Sequence, residues 1–175
     1  MKKIKLYIAT SIDGHIARND GDIDWLTDYL ITSELNYGYD EFYNSVDTVL
    51  MGGRTYRELL CMDVLWTYRD KMTYVITRNP LGEKENILFI SDNVIETISQ
   101  LRKEEGRDIW LVGGGELTSM LLNNNLIDEM IITTIPIILG SGIPLFPNNP
   151  KETNWEAIQT QKYENGIIQT KFVLK

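Results

Sequence analysis

Twice in this chain a short apolar run stops in glycines and a helical pattern begins at once. Val46–Met51 meets Gly52-Gly53 ahead of a short helix over Thr55–Met62. Asp108–Val112 meets Gly113-Gly114-Gly115 ahead of a helix carrying Leu117, Met120, Leu121 and Leu122. Strand-to-helix units of this kind belong to folds in which helices cover a mostly parallel sheet. The rest of the chain keeps the same rhythm. Lys3–Thr10, Met72–Thr77, Ile87–Ile90 and Ile127–Ile135 read as further strands. Ser33 is expected to cap a helix reaching about Asn44, and Asp92 one that carries Val94, Ile95, Ile98 and Leu101 and ends near Gly106. Ser11 to Asp28 reads as loop. Trp155–Tyr163 and Ile167–Leu174 flank Asn165-Gly166, expected to be a two-residue hairpin turn. The expectation is a single α/β domain over residues 1–175, with a mostly parallel sheet closed by an antiparallel hairpin.

Charge and cysteine content narrow the function. The chain carries 17 basic and 25 acidic residues, a net charge of −8. That disfavours a nucleic-acid partner, because no excess of cations meets the phosphates. No apolar run approaches the roughly 20 residues of a membrane helix. The basic start at Met1-Lys2-Lys3 is followed by too short an apolar segment for a signal peptide. Cys61 is the single cysteine and His15 the single histidine. Together they argue for a cytoplasmic protein, and against a multi-histidine metal site or a Ser-His-Asp triad built elsewhere.

In a parallel sheet, ligands gather beyond the carboxyl ends of the strands. Three turns there have suitable chemistry. Gly52-Gly53-Arg54-Thr55 lets backbone N–H groups approach an anion at a helix N-terminus, although a plain tight turn would look the same. Thr77-Arg78-Asn79 offers a hydroxyl, a guanidinium and an amide, and could equally be a polar turn before Pro80. Val112-Gly113-Gly114-Gly115-Glu116-Leu117 spends three glycines where a plain turn needs fewer. Its spacing matches neither G-x-G-x-x-G nor the P-loop. Asp13-Gly14 after the first strand could be a turn or could arch over a ligand. The acids around Asp20, Asp22 and Asp24 lack the order of a calcium loop. Ile138-Leu139-Gly140-Ser141-Gly142-Ile143-Pro144-Leu145-Phe146 reads as core or as a subunit contact.

Taken in order, these segments resemble the dihydrofolate-reductase-like superfamily, and most of all the C-terminal reductase domain of the riboflavin-biosynthesis protein RibD. The residues that carry the resemblance are Ser11-Ile12-Asp13-Gly14, Val46 through Tyr56, Ile109 through Leu117, Leu126-Ile127-Asp128-Glu129, and Pro136 through Phe146. The resemblance implies an eight-stranded sheet and NADPH as hydride donor. Gly52, Gly53, Arg54 and Thr55 would hold the pyrophosphate and adenosine side. Thr77, Arg78 and Asn79 would meet the 2′-phosphate. Val112, Gly113, Gly114, Gly115, Glu116 and Leu117 would pass under the pyrophosphate and nicotinamide ribose, with a cis Gly113–Gly114 peptide. Ala9 would offer its backbone to the carboxamide.

On the substrate side, a gap-free count puts Asn36 where dihydrofolate reductases carry an acid. Asp13 and Asp40 are the candidate proton donors. Trp25, and with it Phe42, could wall a pocket. The implied reaction is NADPH-dependent reduction of a small pterin- or pyrimidine-type heterocycle, as in 5-amino-6-(5-phosphoribosylamino)uracil reductases. Dihydrofolate reduction is the alternative, and a non-catalytic NADP-binding module the alternative of another class. A homodimer is expected.

Overall fold

A computed structural model describes residues 1–29, 35–62, 66–82 and 84–175. The order of elements is β1 (Ile4–Thr10), β2 (His15–Ala17), a 3-10 turn at Asp24–Tyr29, α1 (Tyr39–Asn44), β3 (Val46–Gly52), α2 (Gly53–Cys61), β4 (Met72–Ile76) and β5 (Ile87–Ile90). It continues with α3 (Val94–Leu101), β6 (Asp108–Gly113), α4 (Gly115–Asn123), β7 (Glu129–Thr134), β8 (Ile143–Pro144), β9 (Trp155–Lys162) and β10 (Ile168–Leu174). The main sheet has eight strands in the order β5-β4-β3-β6-β1-β7-β10-β9. All pairs from β5 to β7 are parallel; β10 then runs antiparallel to β7, and β9 antiparallel to β10. This is the α/β architecture expected from the sequence.

The central strands have few polar residues because both of their faces are covered. Along β3, Leu50 enters a core shared with Ile4, Leu6, Ile109, Leu111 and Leu121. Its neighbours Val49 and Met51 enter the opposite core with Phe42, Tyr56, Tyr68, Val75 and Trp110. The alternation of a strand thus serves two cores at once. Among the described residues no helix is long and apolar enough to cross a membrane.

Several local expectations are corrected. The helix before β3 begins only at Tyr39, after Gly38 at φ 74°; Ser33 lies outside the described residues. Asn93, not Asp92, precedes α3, and its side chain makes no capping bond. That helix ends at Leu101, well before Gly106. The hairpin turn is one residue longer than expected: Tyr163 N–H bonds Ile167 C=O and Gly166 N–H bonds Tyr163 C=O. Gly166 closes it at φ 86°, the three-residue arrangement with a left-handed glycine last. The segment read as all loop contains β2, which pairs with β8 as a separate two-stranded ribbon. Leu145 is buried, and Phe146 packs on the core, so that segment's apolar tail turns inward; Ile138 stays exposed.

Candidate functional site

Five adjacent parallel strands, β4, β3, β6, β1 and β7, end on one edge of the sheet, and every candidate turn follows one of them. The glycine turns touch. A Cβ placed on Gly53 would stand 2.6 Å from Thr77 Oγ1 and 3.3 Å from Arg57 Nη1. One placed on Gly114 would stand 3.3 Å from Thr55 Oγ1 and 3.9 Å from Gly52 Cα. Glycine is therefore what lets the three turns close into one polar ledge. Thr77 Oγ1 accepts the Asn79 N–H at 3.2 Å, which fixes the loop after β4.

The Gly113–Gly114 peptide is not cis; no cis peptide occurs among the described residues. The chain turns from β6 into α4 through successive positive φ values of 135° and 91°. Two consecutive glycines at positive φ make this turn through trans peptides. Leu117 is buried in the core and Glu116 is exposed in the first turn of α4, so this segment faces a ligand with backbone, not with those side chains.

β1 and β6 part company at this edge. Their register runs only from Ile4↔Ile109 to Leu6↔Leu111, whereas β1 stays paired with β7 as far as Thr10↔Thr134. Ile109 N–H bonds Lys3 C=O on the β6 side, and Ile135 N–H bonds Thr10 C=O on the β7 side. Strand alternation then places the amide and carbonyl of Ala9 on the β6 side, beyond the last β1–β6 pair. The Tyr7 carbonyl below is taken by Trp110 Nε1 at 3.3 Å. On the β6 side the backbone groups of Ala9 have no ladder partner among the described residues, next to Gly113, whose missing Cβ would lie 3.1 Å from Ile8 Cδ1. Buried Trp25 packs in the cluster holding Ala9 and Ile135, and its indole N–H has no partner among the described residues. An orphaned buried donor beside an unpaired strand is the kind of polar vacancy a bound group satisfies.

The expected cations differ in freedom. Arg54 donates to Asn19 C=O at 3.2 Å and lies 3.9 Å from Glu58, so it holds the Arg18–Asp22 loop against α2. Arg78 is exposed and has no partner among the described residues. Arg57, one turn into α2, is exposed and brings its guanidinium beside Gly53, where a Cβ would lie 3.3 Å from Nη1. Sequence reading passed over Arg57 because it stands outside the glycine motif; its spacing of four from Gly53 was the available signal.

The substrate-side candidates do not converge. Asp13 accepts N–H bonds from Leu139 at 3.1 Å and Gly140 at 2.8 Å, with His15 Nδ1 at 3.2 Å. A Ser11 hydroxyl bond and these amides hold its carboxyl well below the usual range, so it is an ionised clasp between two loops rather than a proton reservoir. Asp40 is exposed and accepts Asn36 Nδ2–H at 2.7 Å; Asn36 Oδ1 accepts Gly38 N–H. This is a local bracket ahead of α1. Phe42 is buried, stacked on Tyr7 with ring centroids 4.5 Å apart. What does gather below Ala9 was not foreseen: Tyr7, Tyr37, Thr133 and Gln169. In the strand register Ala9 lies opposite Thr133, and Thr133 opposite Gln169.

Comparison with known proteins places the chain in a family. The model of the RibD C-terminal domain matches residues 2–169. The chain belongs to the RibD C-terminal domain family. It is 40% identical to the Bacillus subtilis (strain 168) protein YwjB over 167 residues, 95% of each chain. A solved Shewanella sp. PV-4 structure, assigned to riboflavin biosynthesis, superposes with a TM-score of 0.87 at 28% identity, covering 99% of both chains. Dihydrofolate reductase from Enterococcus faecalis, solved with NADP(H), gives a TM-score of 0.70 at 19% identity, covering 99% of this chain and 96% of that one. That last likeness shows a shared fold.

Proposed function

We propose that the protein is an NADPH-dependent reductase of a small pterin- or pyrimidine-type heterocycle. The observation that carries this reading is the unpaired stretch of β1 at Ala9, flanked by the Gly113–Gly114 turn and continuous with the ledge of Gly52, Gly53, Thr55 and Thr77. A dinucleotide needs such a sequence of surfaces: a strand edge for the carboxamide, amides at a helix N-terminus for the pyrophosphate, and cations for a 2′-phosphate. When bound, NADPH supplies a hydride from its nicotinamide ring. The chain's own contribution is to bind and orient. Ala9 hydrogen-bonds through backbone, the start of α4 presents N–H groups and partial positive charge, and Arg57 and Arg78 discriminate the 2′-phosphate. A 2′-phosphate and two guanidiniums make charge-assisted bonds, each worth about 1.5–3 kcal/mol.

Titration of the purified protein with NADPH and NADH, followed by nicotinamide fluorescence, tests the reading. Tight binding with a clear preference for NADPH is expected. Failure of either dinucleotide to bind would overturn it. Turnover of NADPH with a heterocyclic acceptor would separate an enzyme from a non-catalytic binding module. The homodimer expected from the sequence stays part of this proposal, to be read from sedimentation.

A further inference from the structure

A family-like cofactor edge raises the question of what meets the substrate, since neither Asp13 nor Asp40 is placed for it. The group that faces the Ala9 row is a neutral hydrogen-bonded cluster. Tyr7 lies two residues before Ala9 on β1, on the same face and so about 7 Å away. Its hydroxyl donates to Tyr37 C=O at 3.0 Å and receives Gln169 Nε2–H at 3.4 Å. Gln169 also donates to Tyr37 C=O at 3.1 Å and to Thr133 Oγ1 at 2.9 Å. The hydroxyl therefore points up the sheet, from the Tyr7 row toward the Ala9–Thr133–Gln169 row. Tyr37 is held in place by Asn165, which donates to its hydroxyl at 2.7 Å, and by an edge contact with Tyr163. Its backbone sits at φ 52°, an unfavourable region for an aromatic residue, so its carbonyl is aimed at Tyr7 and Gln169 at a conformational cost.

We propose that Tyr7 is the proton-donating catalytic residue of this site and that Gln169 is the residue that positions it. The inference rests on the reductase reading above. As hydride from the reduced nicotinamide reaches a C=N or C=O carbon, the Tyr7 O–H bond breaks. The proton passes to the substrate nitrogen or oxygen, whose π-bond pair becomes the new N–H or O–H bond. The phenolate left behind is stabilised by the Gln169 N–H, and a proton from solvent water restores it. The substrate's polar atom takes the place of the Tyr37 carbonyl as acceptor of the Tyr7 hydroxyl.

Burial pushes the Tyr7 hydroxyl up to about 12, so it carries its proton throughout the physiological range. Among the described residues, the ionisable groups that act on it are Tyr37 and Tyr39, before and on α1, and Tyr163, just past β9; all are phenols. A neutral cluster of this kind favours a heterocycle presenting N–H and C=O over one that must bind as a cation to a carboxylate.

The test uses the full-length protein with Tyr7→Phe, Gln169→Leu and Gln169→Glu, each checked by thermal melting. Tyr7→Phe keeps the ring stacked on Phe42. Two probes are titrated by fluorescence with and without NADP⁺: lumazine, a neutral dione, and 2,4-diaminopteridine, which a carboxylate binds in protonated form. Wild type is expected to prefer lumazine by at least about tenfold, and Tyr7→Phe and Gln169→Leu each to lose about fivefold to tenfold of that affinity. Gln169→Glu should shift preference toward the diamino probe. NADPH affinity should change less than about twofold in all three.

Where a probe is reduced, kcat in Tyr7→Phe should fall by about 10²–10⁴ with little change in KM. In wild type kcat should stay flat from pH 4 to 7. Equal lumazine affinity in wild type and both neutral variants, including none in all three, would overturn the proposal. So would a wild-type preference for the diamino probe, or a carboxylate-like limb in kcat between pH 4 and 7. Absence of NADPH binding to wild type would instead sink the reductase reading itself, so the two failures are distinguishable.

Discussion

The cofactor edge and the substrate end of this molecule are built from different materials. The edge at Gly52–Thr55, Thr77–Asn79 and Gly113–Leu117 is mostly backbone: three turns that close because side chains are missing. The end at Tyr7, Tyr37, Thr133 and Gln169 is mostly side chain, and its partners are far apart in sequence, 162 residues separating Tyr7 from Gln169. A backbone-built surface tolerates little change where a Cβ would collide. A side-chain-built one can lose a single bond and keep its shape. Six substitutions measure how far that contrast holds.

The largest effect is expected at Gly53. A Cβ there would meet both Thr77 Oγ1 and Thr77 Cβ, at 2.6 and 2.7 Å. Gly53→Val must push the β4 turn away from α2, an overpacking cost of about 1–3 kcal/mol. Melting temperature should fall, and NADPH affinity should drop by at least about thirtyfold even in the folded fraction, since the ledge comes apart. Unchanged NADPH binding would mean that closure of the two turns is not what holds the cofactor.

Next come the cations. Arg57→Ala and Arg78→Ala should each reduce the ratio of NADPH to NADH affinity by about tenfold, the loss of one charge-assisted phosphate contact. Arg54→Ala should change that ratio less than about twofold, because Arg54 is occupied with Asn19 and Glu58. The reverse pattern would return the phosphate to the glycine motif's own arginine. This ranking also marks where sequence reading stopped. Gly52, Gly53 and Gly113–Gly115 were legible because few residues other than glycine permit such turns. Which of three arginines is free depends on the Arg18–Asp22 loop folding onto α2, a contact across 35 residues.

The succession of strands along the chain was legible for a similar reason: apolar runs and glycine stops are local. The cluster below Ala9 was not. Gln169 lies on a hairpin strand and Tyr7 alternates with apolar residues along β1, positions with no local mark of a site. Only the register of β1, β7 and β10 brings them to one place. The clasp at Asp13 was hidden in the same way, since its partners lie 126 and 127 residues away. A smaller effect is therefore expected from cutting one strut of the substrate end. Asn165→Ala removes the bond to the Tyr37 hydroxyl and should lower stability by about 0.5–1.5 kcal/mol. NADPH affinity should stay within twofold, as read by melting and titration. A drop in cofactor affinity would show that the two ends are coupled.

The smallest effect concerns the Asp13 clasp, whose carboxylate is partly exposed and bonded to the Ile137–Gly142 turn. Its folded carboxyl titrates below the unfolded value of about 3.9. A depressed carboxyl contributes above its unfolded pKa and loses that contribution as pH falls through the folded value. The clasp should therefore hold from neutral pH down past pH 4 and release only in stronger acid. Hydrogen exchange at the Leu139 and Gly140 amides reports it directly, because those are the N–H groups that Asp13 accepts. Their protection at pH 4.5 should match that at pH 7 after correction for intrinsic exchange. Asp13→Asn, which keeps one acceptor and loses the charge, should lower protection at both amides a fewfold with little change in melting temperature. Protection that already fades near pH 5, or that survives in Asp13→Asn, would assign the loop's order to β2–β8 pairing instead. The Ile137–Gly142 turn would then be held by the ribbon beside it and not by charge.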